Sequence, residues 1–356
     1  MRRLLALTAS TAALVPTGRA PLRPRLHRLS AAAADSGQGS SPTVAEAAAA
    51  AAATLAAAGV PEAETNAWLL VGSAAGIAGG VGAVRSFGAA PFAAQAALDG
   101  YVAQRGRREP LQYIVGDWDF HDITVAVRAP VLVPRPETEE LVELALAGVR
   151  RWGGDSAPVR ILDVGAGTGC IGLAMLKALG PRASCVAVEP CPTAAALAEE
   201  NAAALGLSDR YGVRRCAVGE FGDGAPGVFD VIVSNPPYIP SADMAGLEPE
   251  VREWEARTAL DGGPDGLDVL RDLVAVAPRL LSDGGARSVY LELDPTHPSA
   301  LADEFGTAAD VEGGVLEGGR GRGRAGGPAV TGAWRDFAGH ARFVRLGWDN
   351  DPHEDE

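Results

Sequence analysis

Asn235-Pro236-Pro237-Tyr238 comes directly after the apolar run Val231-Ile232-Val233 and Ser234. Proline lacks a backbone donor and fixes φ, so a strand built from that run must stop at the tetrapeptide. The tetrapeptide itself can hold a planar amino group. The Asn235 side-chain oxygen and the Pro236 carbonyl can each accept one N–H of an –NH2 group, and Tyr238 can stack on it or wall it. The nitrogen of an amide or exocyclic amine is a poor nucleophile because its lone pair is delocalised. Two fixed acceptors orient that lone pair and stabilise the charge that develops on nitrogen, so no strong general base is required.

A second constellation lies upstream. In "LDVGAGTGCIG", Gly165, Gly167 and Gly169 stand between a strand and a helix. Glycines there let a ligand approach the backbone, with helix-terminal N–H groups pointing at it. Two cofactor classes fit. Gly167, Gly169 and Gly172 have the GxGxxG spacing of a dinucleotide site, and Glu189 lies 20 residues after Gly169, where an acid would bind ribose hydroxyls. Asp163-x-Gly165-x-Gly167-x-Gly169 equally resembles the first motif of S-adenosylmethionine-dependent methyltransferases. In that reading Asp163 holds the methionine part of the cofactor and Glu189 its ribose. The loop alone does not choose. Asn235, 70 residues after Gly165 at the end of the fourth strand of the sheet, favours transfer of a methyl group to nitrogen. A dehydrogenase has no particular use for Asn-Pro-Pro-Tyr.

Periodicity identifies the elements that must position these residues. "VRILDV", "SCVAVEP", "FDVIVSN" and "RSVYLEL" are short apolar runs, read as strands. "CIGLAMLKAL", "TAAALAEENAAALG" and "VLRDLVAVAPRLL" alternate with them as helices. Such an alternation implies a parallel sheet covered on both faces. Ahead of it, Thr43 and Glu46 offer a capping box for an Ala-rich helix, and Ala63, Ala67, Leu70 and Val71 recur at helical spacing. Apolar stretches at Tyr113 to Val115 and Ile123 to Val127 read as the two strands of a hairpin. Pro136 and the acids after it suit the first turn of a helix from Glu137. The domains expected are therefore 1–42 as transit peptide and linker, 43–108 helical and concerned with substrate recognition, 109–133 a hairpin connector, and 134–356 catalytic. Within the last, the Gly/Arg-rich stretch 312–332 reads as a flexible insertion.

Composition narrows the partners. The formal charge is −14, yet residues 1–34 carry six arginines and no acid, which leaves the remainder at −20. A body that acidic repels nucleic-acid backbones, so no direct nucleic-acid partner is expected. The acid-free, Arg-, Ser- and Ala-rich start fits a mitochondrial or plastid transit peptide. No apolar run reaches the roughly 18 residues of a membrane span, and a monomer is the default expectation. Cys170, Cys185, Cys191 and Cys216 lack metal-ligand spacing and read as reduced thiols, so no metal is expected.

"PLQYIVG", "VLVPRPETEELVE", "ILDVGAGTG", "FDVIVSNPPYIP" and "ALDGGPDGLDVLR" occur in this order, and "WRDFAGHARFV" comes after them. Together they resemble the release-factor glutamine methyltransferase family, also called PrmC or HemK, over roughly residues 43 to 300. The resemblance implies a class I S-adenosylmethionine-dependent fold: an α/β, seven-stranded, mostly parallel sheet behind an N-terminal helical domain and a β-hairpin connector. It implies methylation of the side-chain amide nitrogen of the Gln in the Gly-Gly-Gln motif of peptide chain release factors, with S-adenosyl-L-methionine as cofactor. Carried over by position, Gly165, Ala166, Gly167, Thr168 and Gly169 would cradle the cofactor, Glu189 would bind its ribose, and Glu220 or Phe221 would border the adenine. Asn235, Pro236, Pro237 and Tyr238 would clamp the substrate glutamine. Arg135, Glu137 and Thr138 would lock the hairpin to the catalytic domain. Ala256, where the family usually has Pro, and Asp294, where it usually has Gly, depart from the pattern. Adenine methylation on nucleic acid, or a non-catalytic binding role on the same scaffold, are the alternative functions.

Overall fold

The computed structural model describes residues 41–221, 227–316 and 327–348; the segment read as a transit peptide lies outside them. Two compact units are present, one reaching to Gly116 and including Glu248–Glu250, the other comprising Asp117–Leu247 and the chain from Val251 onward.

In the first unit, the Thr43 hydroxyl accepts from the Glu46 N–H at 3.2 Å while the Glu46 carboxylate accepts from the Thr43 N–H at 2.8 Å. This reciprocal cap starts α1 (Val44–Ala57), and α2 (Ala63–Ala75), α3 (Val81–Ser86), α4 (Gln95–Gly106) and α5 (Leu111–Val115) come after it. The core of the unit is Ala47, Ala48, Ala51 and Leu55 of α1 with Ala67, Leu70 and Val71 of α2, all buried. Small alanines let these two helices approach closely. Arg105 joins Asn66 at 2.8 Å to Glu250 at 2.8 Å, and Arg108 grips the same Glu250 carboxylate at 2.7 and 2.6 Å.

Tyr113–Val115 is helical, which corrects the expected hairpin boundary. Pro110 presets the entry to α5, Leu111 and Ile114 bury a helical i, i+3 face, and Gly116 at φ +91° ends the turn. The hairpin strands are β1 (Asp117–Phe120) and β2 (Ile123–Ala126), antiparallel with Phe120 opposite Ile123.

The second unit continues with α6 (Pro136–Gly153), β3 (Val159–Val164), α7 (Cys170–Leu179), β4 (Ala183–Val188), α8 (Pro192–Ala204), β5 (Tyr211–Arg214), α9 (Val218–Phe221) and β6 (Val231–Ser234). The short α10 (Pro249–Arg252), α11 (Asp268–Leu280), β7 (Ser288–Glu292), α12 (His297–Phe305), β8 (Thr307–Glu312), β9 (Pro328–Arg335) and β10 (Ala341–Trp348) complete the chain. The sheet order is β5-β4-β3-β6-β7-β10-β9-β8. The first five strands are mutually parallel, and β10 runs antiparallel to both β7 and β9. This is the mostly parallel, doubly wound sheet expected, with eight strands where seven were expected; β8 adds the outer edge. Pro328 to Gly332, expected within a flexible insertion, form the start of β9, and residues 317–326 lie outside those described.

Leu162, Val164, Ile232, Val289 and Leu291 of the strands pack with Leu270, Leu273, Ala277 and Leu280 of α11. Each such side chain removed from water contributes on the order of 1.5–3 kcal/mol, and together they make the sheet the rigid platform for whatever stands at its edge.

Candidate active site

Parallel register does the first part of the assembly. Val188 of β4, Val164 of β3, Ser234 of β6 and Leu291 of β7 are successive Cα partners across four neighbouring strands. One residue further along each chain stand Glu189, Gly165, Asn235 and Glu292. Four sequence segments thus deliver one residue each to a row at the carboxyl edge of the sheet. The chain winds outward in opposite directions from β3 and β6, so the row straddles the topological switch point where open α/β sheets bind ligands.

The glycine loop is shaped to leave room. Gly165, Gly167 and Gly169 hold φ of +73°, +57° and +81°, a region that side chains rarely adopt. A Cβ at Gly167 would meet nothing within 4 Å, and one at Gly165 only the Asn235 carbonyl at 3.9 Å. The loop is therefore an open cradle beside Asn235, a fit for a cofactor that approaches backbone. Ala166 and Thr168 are buried beneath it, and the Thr168 carbonyl accepts from Asn201 Nδ2 at 2.9 Å. Glu189 is 7% exposed; one carboxylate oxygen accepts from Gly167 N–H at 2.9 Å and the other from Cys191 N–H at 2.8 Å. Burial raises its pKa against those two bonds. Each oxygen keeps a lone pair able to accept from a ribose hydroxyl.

Asp163, expected against the methionine part of the cofactor, is buried near the end of β3, and its Oδ1 has no hydrogen-bond partner. It has no exposed surface, and its Oδ2 accepts from Gly172 N–H at 2.9 Å, which ties β3 to the first turn of α7. Burial pushes its carboxyl up to about 7. It holds the loop in place from beneath. Glu220 accepts from Ala217 N–H at 3.1 Å, and Phe221 packs on Phe229 with ring centroids 6.1 Å apart. Both line a groove of about 730 Å³ that also includes Arg160 of β3, Ser184 and Val186 of β4 and Arg214 of β5.

Asn-Pro-Pro-Tyr is held on two sides. The Ile239 N–H donates to Leu260 O and the Gly262 N–H to Ile239 O, both at 2.9 Å, while Ser241 N–H donates to Gly263 O at 2.8 Å. The "ALDGGPDG" segment therefore runs alongside the tetrapeptide like a short extra strand. On the other side, Asn235 Nδ2 donates to the hydroxyl of buried Thr138 at 3.2 Å. Arg342 donates to the Tyr238 hydroxyl at 3.4 Å and through Nε to Asp336 at 3.0 Å. Burial raises the Tyr238 phenol, which stays neutral and able to donate. Arg135 reaches both oxygens of buried Glu255 at 2.8 and 2.6 Å. Ala256 donates its N–H to Pro130 O at 2.7 Å, a bond a proline there could not make. Asp294 accepts from the Thr296 N–H and hydroxyl at 2.9 and 2.7 Å and turns the chain into α12.

Two residues of this site, Glu292 and Arg342, were not singled out from sequence, and Thr138 was expected to lock the hairpin to the catalytic domain. Glu292 is 1% exposed with its carboxyl beside the Thr138 hydroxyl, its Oε2 has no hydrogen-bond partner, and burial pushes its carboxyl up to about 7. Arg342 and Thr138 complete its surroundings. The one available signal was the acid ending "YLEL", at the same place in its strand as Asn235 in its own. Among the described residues no group of acids, cysteines and histidines could hold a metal, and no helix is long and apolar enough to cross a membrane.

Comparison with known proteins bears on both units. Residues 46–116 match the PrmC N-terminal domain and residues 155–246 the methyltransferase small domain. The human MTRF1L release factor glutamine methyltransferase is 38% identical over 251 residues, covering 68% of this chain and 69% of the human one. The release factor glutamine methyltransferase of Deinococcus radiodurans is 42% identical over 254 residues, 71% of this chain and 87% of that protein. That of Rhodospirillum rubrum is 44% identical over 236 residues, 66% and 70% of the two chains.

Proposed function

We infer the reaction from one premise: the chain belongs to the family of release factor glutamine methyltransferases. Its sheet is that of a class I S-adenosylmethionine-dependent methyltransferase. The enzyme methylates the side-chain amide nitrogen of a glutamine in a peptide chain release factor. Within that activity, the glutamine of a Gly-Gly-Gln motif is the target we assign, because a glutamine flanked by glycines can be extended into a cleft without a bulky neighbour.

The observation that carries the reading is the approach of the Gly165 turn to Asn235, with a Cβ position 3.9 Å from its carbonyl. S-adenosylmethionine bound on the glycine loop supplies an electrophilic methyl group. Gly165 to Gly169 provide the surface for it, and Glu189 accepts from its ribose. Asn235 Oδ1 and the Pro236 carbonyl each take one N–H of the substrate amide, which fixes the plane of the group and its lone pair. As positive charge develops on nitrogen those two bonds strengthen, an effect worth on the order of a hundredfold for one well-placed partner, and the methylated nitrogen then releases one N–H proton to water, with S-adenosylhomocysteine as the other product. Tyr238 walls the amide. Pro236 and Pro237 keep the segment from relaxing, since their φ is fixed.

The test is mass spectrometry of a recombinant release factor after incubation with S-adenosylmethionine and the protein lacking residues 1–34. One added methyl group on the glutamine is expected, and Asn235→Ala should abolish it while S-adenosylhomocysteine still binds. Full activity in that variant would sink the mechanism, and methylation of DNA or RNA instead would replace the substrate. We also assign the enzyme to a mitochondrion or plastid on the composition of residues 1–34. A fluorescent fusion of that segment tests this, and a cytosolic signal would remove the assignment.

A further inference from the structure

We propose that Thr138 and Glu292 are positioning residues that fix which end of the Asn235 amide faces the substrate. The proposal rests on the amide-methylating function above, since an –NH2 substrate requires an acceptor at that place. An asparagine amide can sit with its oxygen or its nitrogen outward, and the two arrangements fill nearly the same space. With oxygen outward it accepts from the substrate; with nitrogen outward it sets donor against donor. Catalysis therefore requires a group behind Asn235 that accepts and does not donate.

Thr138 Oγ1, 3.2 Å from Asn235 Nδ2, could in principle do either, because a hydroxyl has one hydrogen and two lone pairs. Glu292 decides which. An ionised carboxylate only accepts, so the Thr138 hydrogen points at Glu292, and Asn235 meets a lone pair. The amide nitrogen turns inward and the oxygen outward. The chain of donors runs from Asn235 to Thr138 to Glu292, and the last two are 3% and 1% exposed, so bulk water does not compete with them. Register supports the arrangement independently: Asn235 and Glu292 each stand one residue beyond the paired Ser234 and Leu291.

The groups that face Glu292 are Arg342 from β10, Arg135 and Glu137 from the start of α6, Tyr238 from the segment after β6 and Cys170 from α7. The guanidiniums favour the carboxylate, whereas burial and Glu137 oppose it, and the balance brings its titration to about 7. Once protonated, Glu292 can donate to Thr138, and the chain loses its single direction. The competent form is the ionised one, so turnover is lost as pH falls through that value.

The experiment compares Thr138→Ser, Thr138→Val and Glu292→Gln with the unaltered enzyme, reading kcat, KM, S-adenosylhomocysteine affinity and the side-chain amide signals of Asn235 by NMR. Thr138→Val and Glu292→Gln should lower kcat about 10- to 100-fold, the scale of losses from misaligned reacting groups, with cofactor affinity unchanged. Thr138→Ser should restore it. In the unaltered enzyme kcat should drop below about pH 7, and one Nδ2 proton of Asn235 should lose its protection from exchange over the same range. Glu292→Gln should flatten both profiles. Wild-type turnover and pH dependence in Glu292→Gln, or Thr138→Ser as poor as Thr138→Val, would overturn the proposal. Failure of the unaltered enzyme to methylate a release factor would overturn the functional reading alone, since the amide signals still report whether Thr138 and Glu292 orient Asn235.

Discussion

Gly262→Ala tests whether the "ALDGGPDG" segment sets the position of Asn-Pro-Pro-Tyr. Gly262 is buried, and a Cβ there would lie 2.5 Å from Pro237 O, 2.7 Å from Gly266 O and 2.8 Å from Gly266 C. All three are backbone atoms, so no side chain can swing away. To restore the 3.4 Å at which such contacts become ordinary, the Pro237 carbonyl must retreat by roughly 0.9 Å. Pro237 is bonded directly to the Pro236 carbonyl and through Pro236 to Asn235, so the shift is transmitted to both proposed substrate acceptors. Displacement of reacting groups by about 1 Å can cost about a hundredfold in rate. Overpacking of this kind also lowers stability by about 1–3 kcal/mol, several degrees in Tm for a unit of this size. The assay is methyl transfer to a release factor alongside S-adenosylhomocysteine titration, with Gly246→Ala as control because a Cβ there meets nothing within 4 Å. The expected pattern is a kcat lowered about a hundredfold with cofactor affinity kept, because the glycine loop stands on β3 and not on this segment. Wild-type kcat and Tm in Gly262→Ala would refute the reasoning, showing that the tetrapeptide is held by its own prolines.

Glu189→Ala should weaken S-adenosylhomocysteine binding at least about tenfold, from the loss of a charged acceptor whose hydrogen bonds are worth about 1.5–3 kcal/mol; calorimetry giving an unchanged Kd would remove Glu189 from the cofactor site. Asp163 predicts a stability that depends on pH. Its carboxyl rises on folding from 3.8 to about 7, so the folded state holds a proton that the unfolded chain releases, and the associated stability is lost as pH rises across that interval. The neutral variant Asp163→Asn should therefore gain on the wild type between pH 4 and 7, by on the order of 1 kcal/mol per pH unit, in urea titrations. A constant difference over that range would mean that Asp163 is ionised throughout.

The elements with a strong period were legible residue by residue. "CIGLAMLKAL" is α7 and "VRILDV" is β3, each with the bounds its apolar pattern indicates. The mistaken hairpin strand at Tyr113–Val115 is part of a five-residue helix, too short to display a helical period. Composition misled at the other end: a Gly- and Arg-rich stretch read as an insertion includes the start of β9, which has a single glycine, Gly332, and buries Val330 and Ala333 on the sheet. The bond from Gly172 N–H to Asp163 was not legible, since a strand-end acid that serves the loop backbone is spelled the same as one that serves a ligand. Thr138 and Glu292 could not be paired from sequence at all. Asn235 and Thr138 are 97 residues apart, and only strand register brings Glu292 to them.

That register also explains how so acidic an edge can serve an amide acceptor. Asp163, Glu189 and Glu292 all lie at or just inside the carboxyl ends of the parallel strands. An ionised Glu189 there favours a cationic cofactor, yet a free carboxylate beside Asn235 would compete for the substrate N–H groups, being the stronger acceptor. Each acid is instead buried against its own scaffold, with Asp163 Oδ1 and Glu292 Oε2 left without a hydrogen-bond partner. Asp163 accepts from Gly172, Glu189 from Gly167 and Cys191, and Glu292 from Thr138. Burial raises all three pKa values, the cost of keeping carboxyl groups where water is excluded. In the proposed reaction the acceptors offered to the substrate are a neutral amide oxygen and a neutral proline carbonyl. These are acceptors weak enough not to pull a proton from the substrate and fixed enough to direct its lone pair. Converting Asn235 to Asp would break that division of labour: it would place the stronger acceptor at the substrate and remove the donor to Thr138.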